Sequence, residues 1–205
     1  MAMALTIYGS PRSRTMRTLW VAEELGLDYE HVPVAWDDPW LKTDAFHRVN
    51  PLGAVPAIDH DGFCLAESLA INLYLAKTFG LAGSEALYPA EAASEADVWR
   101  WTLWAQAHLE PWVRRDGGLP VYDGPTAEFA EAEAHKALDQ LGAVLARREW
   151  LTENRFTIAD LNVACVLSPS RSQPLAIERH APTTNWLARC YGRPAAKAVR
   201  ARFAG

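Results

Sequence analysis

Apolar positions in the first 80 residues alternate between two periods. Leu5 to Tyr8 and residues 29–34 are short apolar runs bounded by breakers, which predicts two strands. Between them, Met16, Leu19 and Trp20 recur at helical spacing, and Gly26 follows as a candidate C-cap. A helix between two strands implies that the strands are parallel.

A strand that contains proline follows, in the stretch 50–58 (Asn-Pro-Leu-Gly-Ala-Val-Pro-Ala-Ile). Pro56 cannot donate a ladder hydrogen bond, so it requires an edge, a bulge or a cis turn. Asp61 and Gly62 then predict a hairpin, and an apolar-periodic helix runs from Glu67 to about Phe79. These elements predict a mixed four-stranded sheet.

The second half has a helical pattern throughout, with no convincing strand. A long helix is predicted over 90–116, with its last turns kinked or broken by Pro111, and a second over 125–148. Residues 82–88 are interpreted as a linker because two glycines, Gly80 and Gly83, and the following Pro89 interrupt the helical pattern. The predicted domains are an α/β domain over 1–81 and an all-α domain over 89–205.

Thr157 and Asp160 form a capping box, and Phe156 with Leu161 a hydrophobic staple, at the start of another helix. We interpret Asp160 as a folding residue whose cap is worth about 1 kcal/mol. The stretch 168–174 contains two prolines, which should end that helix near Ser168. Two final helices are predicted near 184–191 and 194–203.

Composition narrows the functional classes. The 205 residues are half apolar with a net charge of −5 and no Lys/Arg block, which argues against a nucleic-acid partner. No apolar run approaches the roughly 20 residues that span a bilayer, and residues 1–4 lack a secretion-signal pattern. The three cysteines are scattered without metal-ligand spacing. We therefore expect a reduced, cytoplasmic protein without a metal.

Two predicted helix starts carry candidate chemistry. The backbone N–H groups at Glu67-Ser68 and the positive end of that helix suit a ligand carboxylate. Ser13 stands at the entrance of the first predicted helix, near its positive end, although an ordinary N-cap is the alternative. A cis Val55-Pro56 bond would turn the backbone groups of Val55 outward, free to pair with an extended peptide. Together these features predict a site for the main chain and acidic end of a peptide.

Asn50-Pro51, Val55-Pro56 and Glu67-Ser68, together with the capping box at Thr157, resemble the cytosolic glutathione transferase family, serine-type and theta-like as in bacteria. The resemblance covers nearly the whole chain. It implies an N-terminal thioredoxin-like domain with a mixed four-stranded sheet and an all-α C-terminal domain. It also implies glutathione as cosubstrate, no metal, a role in detoxification and a homodimer.

The resemblance assigns the catalytic role to Ser13, with Arg17 as the arginine that follows the family's serine. Ser10, Arg14 and Tyr8 remain alternatives for the group that contacts the sulfur, although Tyr8 is expected rather to pack or support. No Cys-x-x-Cys motif exists, so thioredoxin-type redox chemistry is not expected.

The same resemblance predicts the ligand contacts. Val55 would pair with the cysteinyl unit, Glu67 would accept from the γ-glutamyl ammonium, and Ser68 would hold the γ-glutamyl carboxylate. Lys42 would reach the glycyl carboxylate or remain a solvated lysine, and Ala54 replaces a polar residue that is frequent in the family. The full predicted glutathione-binding set is Ser13, Arg14, Lys42, Ala54, Val55, Pro56, Glu67 and Ser68.

Trp101, Trp104, His108 and Trp112 lie on one face of the long predicted helix. Core packing is the preferred interpretation for most of this stripe, and His108 is the candidate exception. The predicted pocket for an apolar electrophile comprises Ser10, Trp36, Trp40, Trp104 and His108.

The leading hypothesis is a glutathione transferase that activates the thiol for attack on an apolar electrophile. A glutathione-dependent isomerase, dehalogenase or peroxidase is a second reading of the same site. A non-catalytic binding protein with this fold is the third, which Ala54 and the irregular 168–174 stretch leave open.

Overall fold

The computed structural model describes residues 4–80, 86–113, 115–116, 119–120, 124–168 and 175–203. The chain forms two compact units. The first combines Met1–Tyr88 with Pro194–Gly205, and the second comprises Pro89–Arg193.

The first unit contains a four-stranded sheet in the order β2-β1-β3-β4. Its strands are β1 (Leu5–Tyr8), β2 (Glu30–Val32), β3 (Ala57–His60) and β4 (Phe63–Ala66). β1 pairs parallel with β2 and antiparallel with β3, and β3 pairs antiparallel with β4. The predicted mixed sheet is confirmed. β2 is short because it is an edge strand that Pro33 cannot extend.

Helices α1 (Thr15–Glu24), α2 (Asp44–His47) and α3 (Ser68–Phe79) complete most of this unit, with a 3₁₀ turn at Pro39–Lys42. α1 ends as predicted at Gly26, which has a φ of 61°. The Leu27 N–H donates to Ala22 O at 3.0 Å, and the Gly26 N–H to Glu23 O at 3.2 Å. This is a Schellman cap, and it directs the chain into β2.

The core of the first unit is apolar on both sides of the sheet. Ile7 and Ile58 are fully buried at paired positions of β1 and β3. A separate cluster contains Val34, Leu41, Phe46 and Ala57, which anchors the segment between β2 and β3.

The second unit is mainly helical. Its helices are α4 (Ala92–Trp104), α5 (Glu110–Val113), α6 (Gly124–Leu145), α7 (Ile158–Val166) and α8 (Ala181–Gly192), with a 3₁₀ turn at Ile177–Arg179. A short antiparallel pair, β5 (Arg115–Asp116) with β6 (Leu119–Pro120), departs from the strand-free expectation. Two glycines stand between these strands in the sequence, and a glycine pair is a hairpin signal that the helical interpretation passed over.

The long helix predicted over 90–116 is not continuous. Ala105–Leu109 forms a π-helical segment between α4 and α5. The disturbance comes just before Pro111, whose ring conflicts with the carbonyl four residues earlier. Trp101, in α4, is buried, whereas His108, within the π-helical segment, is exposed.

The final helix, α9 (Pro194–Arg202), belongs to the first unit and not to the predicted 89–205 domain. It packs on α1, and Arg202 Nη1 lies 2.9 Å from Glu23 Oε1. The last helix therefore packs on α1, a partner that its pattern of apolar residues alone could not indicate.

Of the predicted linker 82–88, residues 82–85 lie outside the described part of the chain. Ala86, Leu87 and Tyr88 are buried, and the Tyr88 N–H donates to Gly80 O at 2.9 Å. α7 ends at Val166, close to the predicted stop, and residues 169–174 are again outside the described ranges. Within those ranges, no helix combines the length and apolar character needed to cross a bilayer.

Candidate functional site

The turn before α1 places Ser13 in a hydrogen-bonded network. Ser13 Oγ donates to Ser10 O at 2.7 Å and lies 2.8 Å from Thr15 Oγ1. It also accepts from the Thr15 N–H at 3.2 Å. The helix begins at Thr15, and Arg14 occupies the N-cap position without a side-chain capping bond. Ser13 therefore precedes the helix instead of serving as the N-cap considered above.

Gly9 connects this turn to the loop before β3. Its φ is 129°, a conformation that residues other than glycine rarely adopt. A Cβ at Gly9 would overlap Thr15 Oγ1 and lie 2.9 Å from Val55 Cβ. The end of β1, the Ser13 turn and Val55 thus meet at a point where only glycine fits. Sequence reasoning treated Gly9 as a strand breaker and missed this role.

The loop before β3 is organised by Asn50, which is 3% exposed. Its Nδ2–H donates to Ala54 O at 2.7 Å, and its Oδ1 accepts from the Leu52 N–H at 3.1 Å. The Val55-Pro56 peptide bond is cis, one of the options that the sequence left open. Val55 is half-buried and precedes the first ladder residue of β3. Asn50 therefore fixes the conformation of the loop before β3, a role that its place in the sequence motif did not indicate.

The start of α3 joins two predicted ligand residues with Arg17. Glu67 is exposed and has a φ of 69°, an uncommon conformation for a residue with a side chain. Ser68 is buried, and its Oγ accepts from Arg17 Nη1 at 3.4 Å. Arg17 is itself 3% exposed. A buried guanidinium therefore reinforces the positive potential of the helix N-terminus, which favours an anion.

The remaining predicted residues of the first unit have different environments. Lys42 is exposed at the end of the 3₁₀ turn, and Trp36 is 74% exposed. Ser10 Oγ accepts from the Arg12 N–H at 3.2 Å. Ala54 is exposed and Pro56 is buried.

Tyr8 is part of an aromatic group with Trp40 and Phe46. Its ring centroid lies 6.1 Å from that of Trp40 and 5.9 Å from that of Phe46. Burial, with the nearby Asp59 carboxylate, raises the pKa of Tyr8 above its usual value. A neutral phenol packed in this way fits the supporting role expected from the sequence.

Two predicted pocket residues, Trp104 and His108, lie in the second unit. Trp104 is half-buried and makes an edge contact with Trp101 at 5.3 Å between centroids. Trp101 Nε1–H donates to Leu151 O at 3.1 Å. These tryptophans act in packing, whereas His108 is exposed.

Asp160 is completely buried and accepts four hydrogen bonds. Two come from the Thr157 N–H and hydroxyl, at 3.0 and 3.2 Å. The others come from the Leu151 N–H and Trp186 Nε1–H, both at 2.9 Å. Burial raises the pKa of Asp160 to about 6, while these donors favour the carboxylate. The predicted capping box is confirmed, and the two distant donors were not visible in the sequence.

Among the described residues, no three histidine, cysteine or acidic side chains are placed to hold a metal ion.

Residues 3–77 match the family model "Glutathione S-transferase, N-terminal domain", and residues 101–194 match the corresponding C-terminal domain. The chain belongs to the glutathione S-transferase family. The fold described above, a mixed four-stranded sheet with a helical second unit, is the fold of this family.

Individual relatives of this glutathione S-transferase family member differ in coverage. Glutathione S-transferase 3 of Zea mays is 33% identical over 180 residues, which is 83% of this chain and 80% of the maize protein. Elongation factor 1-gamma-A of Xenopus laevis is 32% identical over 77% of this chain, but the match spans only 36% of that longer protein.

A theta class glutathione S-transferase from Xanthomonas axonopodis pv. citri, solved with glutathione bound, superposes with a TM-score of 0.81 at 28% identity. The superposition covers 95% of each chain.

Proposed function

We propose that this protein is a glutathione transferase that binds glutathione in the first unit and uses Ser13 to activate its thiol. The observation that supports the proposal is the close approach at Gly9, whose backbone lies against both the hydroxyl of Thr15, two residues after Ser13, and the side chain of Val55. The Ser13 hydroxyl and the backbone of Val55 would then contact the same ligand.

Each part of glutathione has a candidate partner. The backbone of Val55 would pair with the cysteinyl unit, as an added strand does. The α-carboxylate of the γ-glutamyl unit would lie at the start of α3, where Arg17 and Ser68 support a negative charge. The exposed Glu67 carboxylate would accept from the adjacent ammonium. The exposed Lys42 is proposed to bind the glycyl carboxylate.

Thiol activation is the proposed chemical contribution. A free thiol has a pKa of roughly 8.5 and is mostly protonated at neutral pH. A hydrogen bond from Ser13 Oγ–H stabilises the thiolate, and the positive end of α1 adds to the effect. The thiol proton leaves to solvent, and the sulfur attacks the electrophilic carbon and displaces its leaving group.

Isothermal titration with glutathione, followed by a chlorodinitrobenzene conjugation assay on the same sample, tests the proposal. Binding together with turnover supports the transferase. Binding without turnover would favour another glutathione-dependent reaction, and no binding at millimolar ligand would contradict the proposed site.

A pair of variants tests the ligand contacts more sharply. Glu67 and Glu91 both occupy the N-cap position of a helix without a side-chain capping bond in the described structure. Glu67→Ala should weaken glutathione binding by about tenfold through the lost charged hydrogen bond, whereas Glu91→Ala should not. Equal dissociation constants for the two variants would remove Glu67 from the site.

A non-catalytic binding role is the second candidate, because elongation factor 1-gamma proteins share about a third of their matched residues with this chain. The conjugation assay separates the two functions. The homodimer, the cytoplasmic location and the detoxification role are proposals from the family resemblance, and light scattering checks the first of them.

A further inference from the structure

The hydroxyl of Ser13 has a complete set of hydrogen bonds before any ligand is added. Its single proton points to Ser10 O at 2.7 Å. Its two acceptor positions face Thr15, one towards the backbone N–H at 3.2 Å and one towards Oγ1 at 2.8 Å. A hydroxyl has one donor and two acceptor positions, so all three are in use.

This arrangement determines the direction of the bond between the two hydroxyls. Because the proton of Ser13 is given to Ser10 O, Thr15 Oγ1–H must be the donor to Ser13 Oγ. Thr15 is completely buried and starts α1, and the backbone of Gly9 packs against its hydroxyl. Thr15 is therefore a fixed donor on a regular element, not a mobile surface group.

We propose that Thr15 is a positioning residue, which rests on the proposed function of Ser13. Its hydroxyl and N–H occupy both acceptor positions of Ser13 Oγ, so that Ser13 can only donate. When glutathione binds, the Ser13 proton turns from Ser10 O to the sulfur while the two bonds from Thr15 remain. The donated bond from Thr15 also polarises the Ser13 hydroxyl and strengthens its bond to a thiolate.

The experiment measures the pKa of bound glutathione from the ultraviolet absorbance of its thiolate as a function of pH. Thr15→Val removes the hydroxyl and keeps the branched shape, and Thr15→Ala removes it with less risk of overlap with Gly9. Both should raise the bound thiol pKa and lower kcat/KM at neutral pH by about three- to tenfold, the effect of one hydrogen bond. The loss should disappear at high pH, and the KM for glutathione should not change.

Two controls separate positioning from a structural role. Thr15→Ser keeps the hydroxyl and should restore the wild-type pH profile. Thr18→Val removes another buried hydroxyl of α1, one that donates to Asn72 Oδ1 at 3.3 Å. It should leave the bound thiol pKa unchanged even if the melting temperature falls.

A double-mutant cycle with Ser13→Ala provides the decisive comparison. If Thr15 acts only through Ser13, Thr15→Val should have no further effect on the bound thiol pKa once Ser13 is alanine. Additive effects, or an unchanged pKa in both Thr15 variants, would overturn the inference while the proposed function stands. A wild-type protein that does not lower the thiol pKa would overturn the proposed function and this inference together.

Discussion

The turn before α1 and the start of α7 are similar in sequence and different in structure. Each has a hydroxyl residue followed by a helix, at Ser13 and Thr157, and each was a candidate N-cap. Thr157 caps α7 in a complete box with Asp160, and both residues are fully buried. Ser13 lies ahead of α1, is half-buried, and donates to the backbone carbonyl of Ser10.

The difference lies in how the hydrogen bonds are arranged around the central oxygen atoms. Every hydrogen-bond partner of Asp160 is a donor held in place by the fold, so its carboxylate is fully occupied by structural bonds. The network of Ser13 contains a proton that can change its acceptor. A buried polar group with all its bonds to the fold stabilises structure, whereas a partly exposed donor is available for chemistry.

The largest effect is expected for Asp160→Ala. The change leaves the N–H groups of Leu151 and Thr157 and the Trp186 indole N–H buried without an acceptor. We expect the free energy of unfolding to fall by about 3–5 kcal/mol, more than the roughly 1 kcal/mol of a simple cap. Denaturant titration measures it.

Asp97→Ala is the matched control for that variant. Asp97 contacts Arg100 at 2.8 Å, but the pair is partly exposed, so its loss should change the free energy of unfolding by less than about 1 kcal/mol. Similar losses for the two variants would contradict the distinction between a buried and an exposed carboxylate.

Ser13→Ala should show the opposite profile. We expect kcat/KM to fall by about 100-fold, as for the loss of one donor to a developing anion. The dissociation constant of glutathione should change by less than about threefold, and the free energy of unfolding by less than about 1 kcal/mol. Steady-state kinetics and calorimetry measure the first two.

Ser10→Ala tests the assignment within the same turn. A larger loss of kcat/KM for Ser10→Ala than for Ser13→Ala would move the catalytic role to Ser10. Unaltered turnover in Ser13→Ala would remove Ser13 from its role.

The smallest effect concerns a buried network that is not complete. His135 and His180 are each 6% exposed, and His135 Nδ1 lies 2.9 Å from His180 Nε2. His180 Nδ1 lies 3.1 Å from Asp139 Oδ1, and Arg179 Nε is 3.4 Å from His180 Nε2. His135 Nε2 has no hydrogen-bond partner within the described structure and faces Glu131 Oε1 at 3.6 Å.

Burial, with Arg179 and His180, lowers the pKa of His135. The folded state therefore binds this proton more weakly than the unfolded state, whose histidine pKa is about 6.5. The stabilisation is present above about pH 6.5 and declines as the pH falls below that value. The raised pKa of Asp160 acts in the opposite sense below about pH 6, so the test is the difference between variants. His135→Gln should lose less stability than the wild-type protein as the pH falls below about 6.5.

His108→Gln is the control because His108 is an exposed histidine of the same unit. It should leave the pH dependence of the melting temperature unchanged. The same slope in wild type and His135→Gln would show that the burial of His135 has no measurable effect on the pH dependence of stability.

Local signals predicted much of the fold from the sequence. The Asp61-Gly62 hairpin, the Gly26 cap and the Thr157–Asp160 box each depend on residues close together in the chain, and all three are present. The features that sequence reasoning missed depend on contacts between distant residues. The close approach of Gly9 to Val55 and the hydrogen bond from Trp186 to Asp160 form only in the tertiary fold.

The predicted site residues stay a prediction, but the structure shows contacts among them that the sequence did not indicate. Residue types near Glu67-Ser68 indicated an anion at a helix start, but not the support of Ser68 by Arg17 across two helices. The directions of the hydrogen bonds around Ser13 could not be predicted, because they depend on interatomic distances that the sequence does not give. The second unit adds the clearest departure, since a π-helical segment shifts every later position of a predicted stripe.

The position of α9 has a consequence for the order in which the protein can be made. The chain leaves the first unit at Tyr88 and returns to it at Pro194, after the whole second unit. During synthesis on the ribosome, α1 is exposed long before Arg202 exists to pair with Glu23. The second unit can therefore fold while the first unit still lacks its last helix, and the first unit is completed last.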